Sequence, residues 1–234
     1  MKMYKRFSFR HFIFILGLVI LLFNCRKEVD FESLDLLEKI KSLEGITVVE
    51  ITPTENYSRA FQIDLIQPVD HNNPNGAKFA QRIYLSHADE NMPMVFAPNG
   101  YGATPSSGQE IAKILQTNCL NVTHRYFYGA RPDPLNWEFM NIEQAAADHH
   151  RIVQIFKKIY KDKWISSGAS KSGLTVLFHK RYYPDDVDAT IAYVAPFIFG
   201  PKDERYPLYL SKIGGDECFS KLKQIQLYVL NHRE

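Results

Sequence analysis

Cysteine is scarce in this chain, with three in 234 residues, which excludes a scaffold built mainly from disulfides. Charge of one sign is also missing. Twenty-eight basic residues face 26 acidic ones, a net charge of +2, so the balance gives no reason to expect nucleic acid or another polyanion as partner. There is no glycine-rich phosphate loop, no internal repeat and no low-complexity segment. His149 and His150 have no Cys or Glu at ligand spacing, which argues against a zinc site, and no cofactor is implied. A run long enough to span a bilayer is absent as well. The charge-free apolar stretch Phe12 to Phe23 falls short of the roughly 20 residues a spanning helix needs. What is present is ordinary globular content, 45% hydrophobic, over a length that suits one domain with a sizeable core.

The apolar stretch follows Lys2, Lys5, Arg6 and Arg10, and the combination reads as an export signal. It ends in Leu22-Phe23-Asn24-Cys25, which resembles a bacterial lipobox with Cys25 as the lipidated first residue of the mature protein. Residues 1–24 are then expected to be a lipoprotein signal peptide and 25–45 a tether with a short helix. The protein is expected to be exported and membrane-anchored, facing the periplasm or the cell surface. For Cys119 and Cys218 two readings stay open, a disulfide or free thiols, because spacing does not give connectivity.

Ser33 is a candidate cap for a short helix carrying Leu34, Leu37 and Leu43 and closed by Gly45. Ile46–Ile51, Phe61–Ile66, Phe79–Ser86 and Met94–Ala97 read as strands, and Pro98-Asn99-Gly100-Tyr101-Gly102 as a tight loop. Ile111, Ile114 and Leu115 mark a helix, and Leu120 and Val122 a further strand. From Asn141 to Tyr160 apolar residues recur at helical spacing, with Asn141 and Gln144 as a capping box. His149 lies on that apolar stripe and is expected to be a satisfied core histidine. Ala189–Ala195 is the last strand. Antiparallel strands first, then strands alternating with helices, indicate an α/β fold with a mostly parallel sheet and flanking helices.

Between the strand Trp164–Ser167 and a helical run starting at Leu174 and stopped by Pro184 lies Gly168-Ala169-Ser170-Lys171-Ser172-Gly173. A serine on a sharp strand-to-helix turn is the nucleophile elbow of α/β-hydrolases. The turn needs small neighbours because the chain bends tightly, and it sets the serine where unpaired helix N–H groups face a developing oxyanion. The usual pattern is G-x-S-x-G. Here Ser172 stands at the second glycine.

Further motifs occur in order. They are Gln67-Pro68-Val69-Asp70-His71 with Phe79-Ala80-Gln81-Arg82, then Thr123-His124-Arg125-Tyr126-Phe127 leading to Arg131-Pro132. Asp148-His149-His150-Arg151-Ile152-Val153 follows, and Tyr193-Val194-Ala195-Pro196-Phe197 comes after the elbow. Together they resemble the secreted tripeptidyl aminopeptidase family of serine peptidases and, more distantly, the prolyl carboxypeptidase and dipeptidyl peptidase family. The resemblance implies an α/β-hydrolase catalytic domain, here its N-terminal part over 46–199, with 200–234 as the start of a lid. It implies Ser170 as acylating nucleophile, the backbone N–H of Lys171 as one oxyanion donor, and a second donor from the loop at Tyr101. The implied substrate is a peptide with a free N-terminus, and the membrane is met through Cys25. Ala169, Ser172, Thr123 and Ala130 depart from the family's usual residues.

The triad order expected of the fold is Ser, then Asp or Glu, then His, with acid and base after later strands. One strand follows Ser170. His179 is expected to point away from the site, and His232, Asp203, Asp216 and Glu217 fall in the tail. The readings therefore are a serine peptidase represented by its N-terminal part, a noncatalytic surface lipoprotein keeping half of a hydrolase fold, and an esterase of the same fold.

Overall fold

Hairpin chemistry and crossover chemistry divide this chain. In the computed structural model, which describes residues 30–54, 57–200 and 202–233, seven strands form one sheet in the order β1-β2-β3-β5-β4-β6-β7. The strands are β1 Ile46–Ile51, β2 Arg59–Pro68, β3 Lys78–His87, β4 Met94–Pro98, β5 Asn118–Val122, β6 Trp164–Ala169 and β7 Ala189–Tyr193. β1, β2 and β3 pair antiparallel through short connections, and β3 pairs antiparallel with β5. β5, β4, β6 and β7 are parallel, as the intervening helices require. The parallel sheet is thus the C-terminal four strands, and the whole is mixed. The signal stretch and Cys25 lie outside the described residues.

Six α-helices accompany the strands, α1 Leu36–Ser42, α2 Glu110–Leu115, α3 Ile142–Phe156, α4 Lys171–Tyr182, α5 Arg205–Leu210 and α6 Gly215–Asn231. Phe61, Ile63, Leu65, Ile83, Leu85 and Phe96 on one sheet face pack with Ile40 of α1 and with Ile152, Val153 and Phe156 of α3, forming the main core. Val95 and Cys119 point to the other face, under Ala112 of α2. α1 is capped by Asp35, whose carboxylate accepts from Leu37 N–H at 2.9 Å. Ser33 instead ends a 3-10 turn, because a carboxylate one residue before the helix is the better-placed acceptor. The capping box at α3 is half formed. Asn141 accepts from Gln144 N–H at 3.0 Å, but the Gln144 side chain turns to His71 N–H and Asp70. Cys119 is buried and Cys218 exposed, and both are free thiols.

β4 connects through α2 to β5 on one side, while β6 lies on its other side. This reversal of direction opens a crevice at the carboxyl ends of β4 and β6, the position where open α/β sheets place their ligands. The loop after β4 and the turn after β6 meet there. Neither α5 nor α6 buries any residue, so Leu208, Tyr209, Leu222, Ile225 and Tyr228 face solvent. Among the described residues β7 pairs with β6 alone.

Candidate active site

Ser170 occupies the residue between β6 and α4 with φ +53° and ψ −123°, a conformation L-residues avoid unless the surroundings impose it. Three contacts impose it. Ser170 N–H donates to Tyr193 O at 3.0 Å, joining the turn to the end of β7. Gly168 has no room for a side chain, since a Cβ there would sit 2.5 Å from the Ser172 carbonyl. Gly173 is pressed against Tyr193 O in the same way. The glycine demanded by the close approach of helix to strand is therefore Gly173, one residue after Ser172, and Ser172 is accommodated. The Ser170 side chain stands exposed at the head of α4.

Ser172 also does something glycine cannot. Its Oγ accepts a hydrogen bond of 2.9 Å from the N–H of Gly100, in the loop after β4. The Lys171 side chain makes a second tie. Its stem lies against Gly100, where a Cβ would come within 2.6 Å of Lys171 Cγ. Its ammonium stands 4.7 Å from the Tyr101 ring centroid and 4.8 Å from that of Phe127, a double cation–π contact. The two rings meet edge to face at 5.5 Å. The loop is pinned from its other side by His124 N–H donating to Tyr101 O at 2.9 Å. Among the described residues neither Lys171 N–H nor Tyr101 N–H donates to any protein group. Both amides are thus unengaged, that of Lys171 directly after Ser170 and that of Tyr101 in the loop tied to the first turn of α4.

Behind the crevice lies a buried ion pair. Arg125, fully buried, holds Asp148 with Nε and Nη2 at 2.7 and 2.8 Å and donates through Nη1 to Val69 O and Phe139 O. His71 Nε2 completes Asp148 at 2.7 Å. Gln67 reaches Gln81 and Asp148 O, and Gln81 donates to Thr123 O. The separate motifs around Gln67, Gln81, Arg125 and Asp148 are therefore one buried polar network, with Arg125 at its centre. Asp148 is fully buried behind Arg125 and His71, out of reach of a substrate ammonium. Glu143 is exposed on the first turn of α3. Glu110 on α2, a carboxylate the sequence reading passed over, lines an open groove of about 410 Å³ shared with Ser167, Gly168 and Ala169. Its signal was its place in the first turn of the helix after the Gly102 loop.

The histidines have other employment. His179 Nε2 and His150 Nδ1 both meet Asp186, at 2.9 and 2.8 Å, and His87 meets Tyr160 OH at 3.0 Å. His124 Nδ1 meets Arg125 O, and His232, in the tail, meets Tyr228 O. Asp203 is paired with Arg205, and Glu217 with Lys221. Asp216 stands in the first turn of α6. Among the described residues no imidazole is hydrogen-bonded to Ser170. His149 is buried in the core as expected, but it is not satisfied. Neither of its ring nitrogens has a partner. Burial, and secondarily repulsion between its charged form and the neighbouring basic side chains, holds its pKa well below the ordinary value of 6.5.

A family model described as PS-10 peptidase S37 matches residues 29–234. Among curated proteins, the chain is 36% identical over 202 residues to a prolyl tri/tetrapeptidyl aminopeptidase of Streptomyces mobaraensis, a match that covers 86% of this chain and 42% of that protein. The chain spans less than half the length of that relative. Among solved structures, it is similar to an acetyl xylan esterase from Paenibacillus sp. R4, with a TM-score of 0.47 and 13% identity over 82% of this chain and 64% of the other. Acetyl xylan esterase 1 from Thermoanaerobacterium sp. JW/SL YS485 gives a TM-score of 0.45 and 12% identity over 85% and 66%. Likenesses this loose say nothing about chemistry.

Proposed function

Because the chain belongs to the PS-10 peptidase S37 family, we propose that it carries the nucleophile half of a serine peptidase acting through an acyl-enzyme. Ser170 Oγ attacks the peptide carbonyl as its proton passes to a general base, the oxyanion is received by the amides of Lys171 and Tyr101, and the peptide C–N bond then breaks, the departing amine taking up the proton and the acyl-serine being left for water to cleave. The substrate is a peptide with a free N-terminus, from which a short peptide of the tripeptidyl class is released. The relative's printed activity supports this class. The single observation that carries the reading is Ser170 held at φ +53° on the turn from β6 into α4, followed by a Lys171 amide that donates to nothing among the described residues. Fluorophosphonate labelling tests it. Covalent modification is expected at Ser170 and lost in Ser170→Ala; labelling that survives the substitution removes Ser170 from the role.

One observation favours a second reading, a surface lipoprotein that binds without turning over substrate. No imidazole among the described residues engages Ser170, and a serine hydroxyl is a weak nucleophile without a base. On this reading the 234-residue chain binds peptide and its turnover stays at background. Assay on aminoacyl-naphthylamide substrates tests this reading. Turnover typical of peptidases by this chain alone would exclude the noncatalytic reading.

The proposed location is a membrane surface, through lipid on Cys25. One acyl chain gives marginal binding and two or three give stable anchoring. Cys25→Ala is expected to move the protein to the soluble fraction, whereas retention of an unprocessed membrane species would indicate a plain signal anchor.

A further inference from the structure

Beside the elbow, between the N-terminal halves of α3 and α4, lies a cavity of about 210 Å³. Two helix faces make it. Ile142, Ala145 and Ala146 recur on one face of α3, and Lys171, Leu174 and Phe178 on one face of α4. The room comes from the two alanines, both buried, where longer side chains would close the gap. The Phe178 ring is braced edge to face by Phe197, from the segment after β7, at 6.3 Å between centroids. Met140 and Ile142 form the rim, 41% and 46% exposed. Lys171 directly follows Ser170, so the cavity begins one residue from the proposed nucleophile.

The polar side chains around it are committed elsewhere. Thr175 Oγ1 donates to Lys171 O at 3.0 Å. Asn141 accepts from Gln144 N–H and donates to Glu138 O. His124 Nδ1 is engaged with Arg125 O, and the Lys171 ammonium is turned onto the Tyr101 and Phe127 rings. His149 is 1% exposed, and both of its ring nitrogens are shut off from the cavity. Among the described residues no carboxylate lines the space. A charged ligand therefore finds no counter-ion there. An amide or hydroxyl would leave water for a wall that returns no hydrogen bond, which is costly. Water itself has few partners in such a place, and poorly ordered water is displaced with a gain in affinity by an apolar group. An apolar cavity of about 150 Å³ takes up a molecule the size of benzene, so this one has room for the side chain of a leucine or a phenylalanine.

We propose that this cavity is a specificity pocket for a wholly apolar side chain, leucine- to phenylalanine-sized, on a substrate residue beside the scissile bond. The assignment rests on the peptidase reading for its place in a reaction, but its binding is testable without catalysis. Selection comes from what the pocket lacks. One methylene more or less in an apolar pocket is worth roughly 10–200-fold. An amide in place of methyl groups loses its bonds to water and regains none.

The test uses the 234-residue chain with ¹³C-labelled alanine methyl groups and three probes, N-acetyl-leucinamide, N-acetyl-glutaminamide and N-acetyl-lysinamide. Saturable NMR shifts of the Ala145 and Ala146 methyl groups are expected with the leucine probe, together with nuclear Overhauser contacts to its own methyl groups. Its affinity is expected to be at least about tenfold above that of the glutamine or lysine probe. Ile142→Trp, at the half-exposed rim, is expected to weaken the leucine probe at least about fivefold with the melting temperature unchanged. Equal binding of the leucine and glutamine probes would overturn the proposal. So would leucine binding without shifts at Ala145 and Ala146, binding untouched by Ile142→Trp, or no binding of any probe. Fluorophosphonate labelling of Ser170, measured alongside, reports on the peptidase reading separately.

Discussion

The amide of Gly100 donates to the hydroxyl of Ser172 across 2.9 Å, joining the loop after β4 to the first turn of α4. The residue that breaks the glycine pattern of the elbow is thus the one that fixes the opposite wall of the crevice. Ser172→Ala removes the acceptor and leaves a partly buried amide unpaired. A loss of about 0.5–1.5 kcal/mol is expected, seen as a lower denaturation midpoint. Hydrogen exchange at Gly100 should quicken more than at Val122 or Trp164. Unchanged exchange at Gly100 would show that the loop is held without Ser172.

Lys171 sits over two rings instead of in water. Lys171→Met keeps the stem against Gly100 and removes the charge, and is expected to cost about 0.5–2 kcal/mol in all from the contacts to Tyr101 and Phe127. Lys171→Arg keeps a cation and should recover most of it. Burial already presses the Lys171 pKa below its ordinary 10.5. Methionine and arginine variants of equal stability, in urea titrations, would show that the charge contributes nothing.

The Arg125–Asp148 pair has no exposure on either side chain. Asp148→Asn leaves the guanidinium buried without its counter-charge, for which about 3–5 kcal/mol of destabilisation is expected. The double replacement Arg125→Met with Asp148→Leu should cost less than the single one. Equilibrium denaturation of both variants checks the order, and the reverse order would mean that the intact pair contributes more than an unpaired buried guanidinium costs.

Two buried histidines and the half-buried His124 set an acid limit. Burial lowers the pKa of His87, His124 and His149 from the ordinary 6.5. Between each folded value and 6.5 the unfolded chain binds more protons, so stability rises with pH in that window. It is complete above about pH 6.5 and declines as pH falls below it. At Asp186 burial opposes the charged form, but the hydrogen bonds from His179 and His150 outweigh it and the pKa is lowered. That carboxylate adds a second decline below its ordinary value of 3.8. Thermal melts from pH 4 to 8 should show the midpoint falling below pH 6.5, with a shallower slope in His149→Phe. A flat profile down to pH 5 would contradict the burial of these rings.

Much of this was legible in the residues, because strands such as Phe79–Ser86 and the stripe of α3 impose their own period. The elbow was legible because a serine amid small residues at a strand–helix junction admits few other conformations. The cap of α1 was not, since Ser33 and Asp35 are both good caps and only the packed helix start chooses Asp35. Nor was the role of Lys171, whose environment comes from Gly100, Tyr101 and Phe127, all distant in the chain. The unmet nitrogens of His149 were invisible for a like reason. Helical spacing says that a residue is buried, but the neighbours that decide its hydrogen bonds come from β4 and α4.

The division of the sheet also orders events in time. β2 and β3 register across a short hairpin, Gln67 beside Phe79, whereas Met94 must find Trp164 across the whole of α2, β5 and α3. Loop-closure entropy makes long-range parallel pairing slow. The antiparallel strands can dock early, while β6 and β7 close last, and only with β7 in place does Tyr193 O receive the Ser170 amide. The strained serine is therefore among the last things the chain acquires, and a nascent polypeptide does not hold Ser170 in this conformation until β7 has paired with β6.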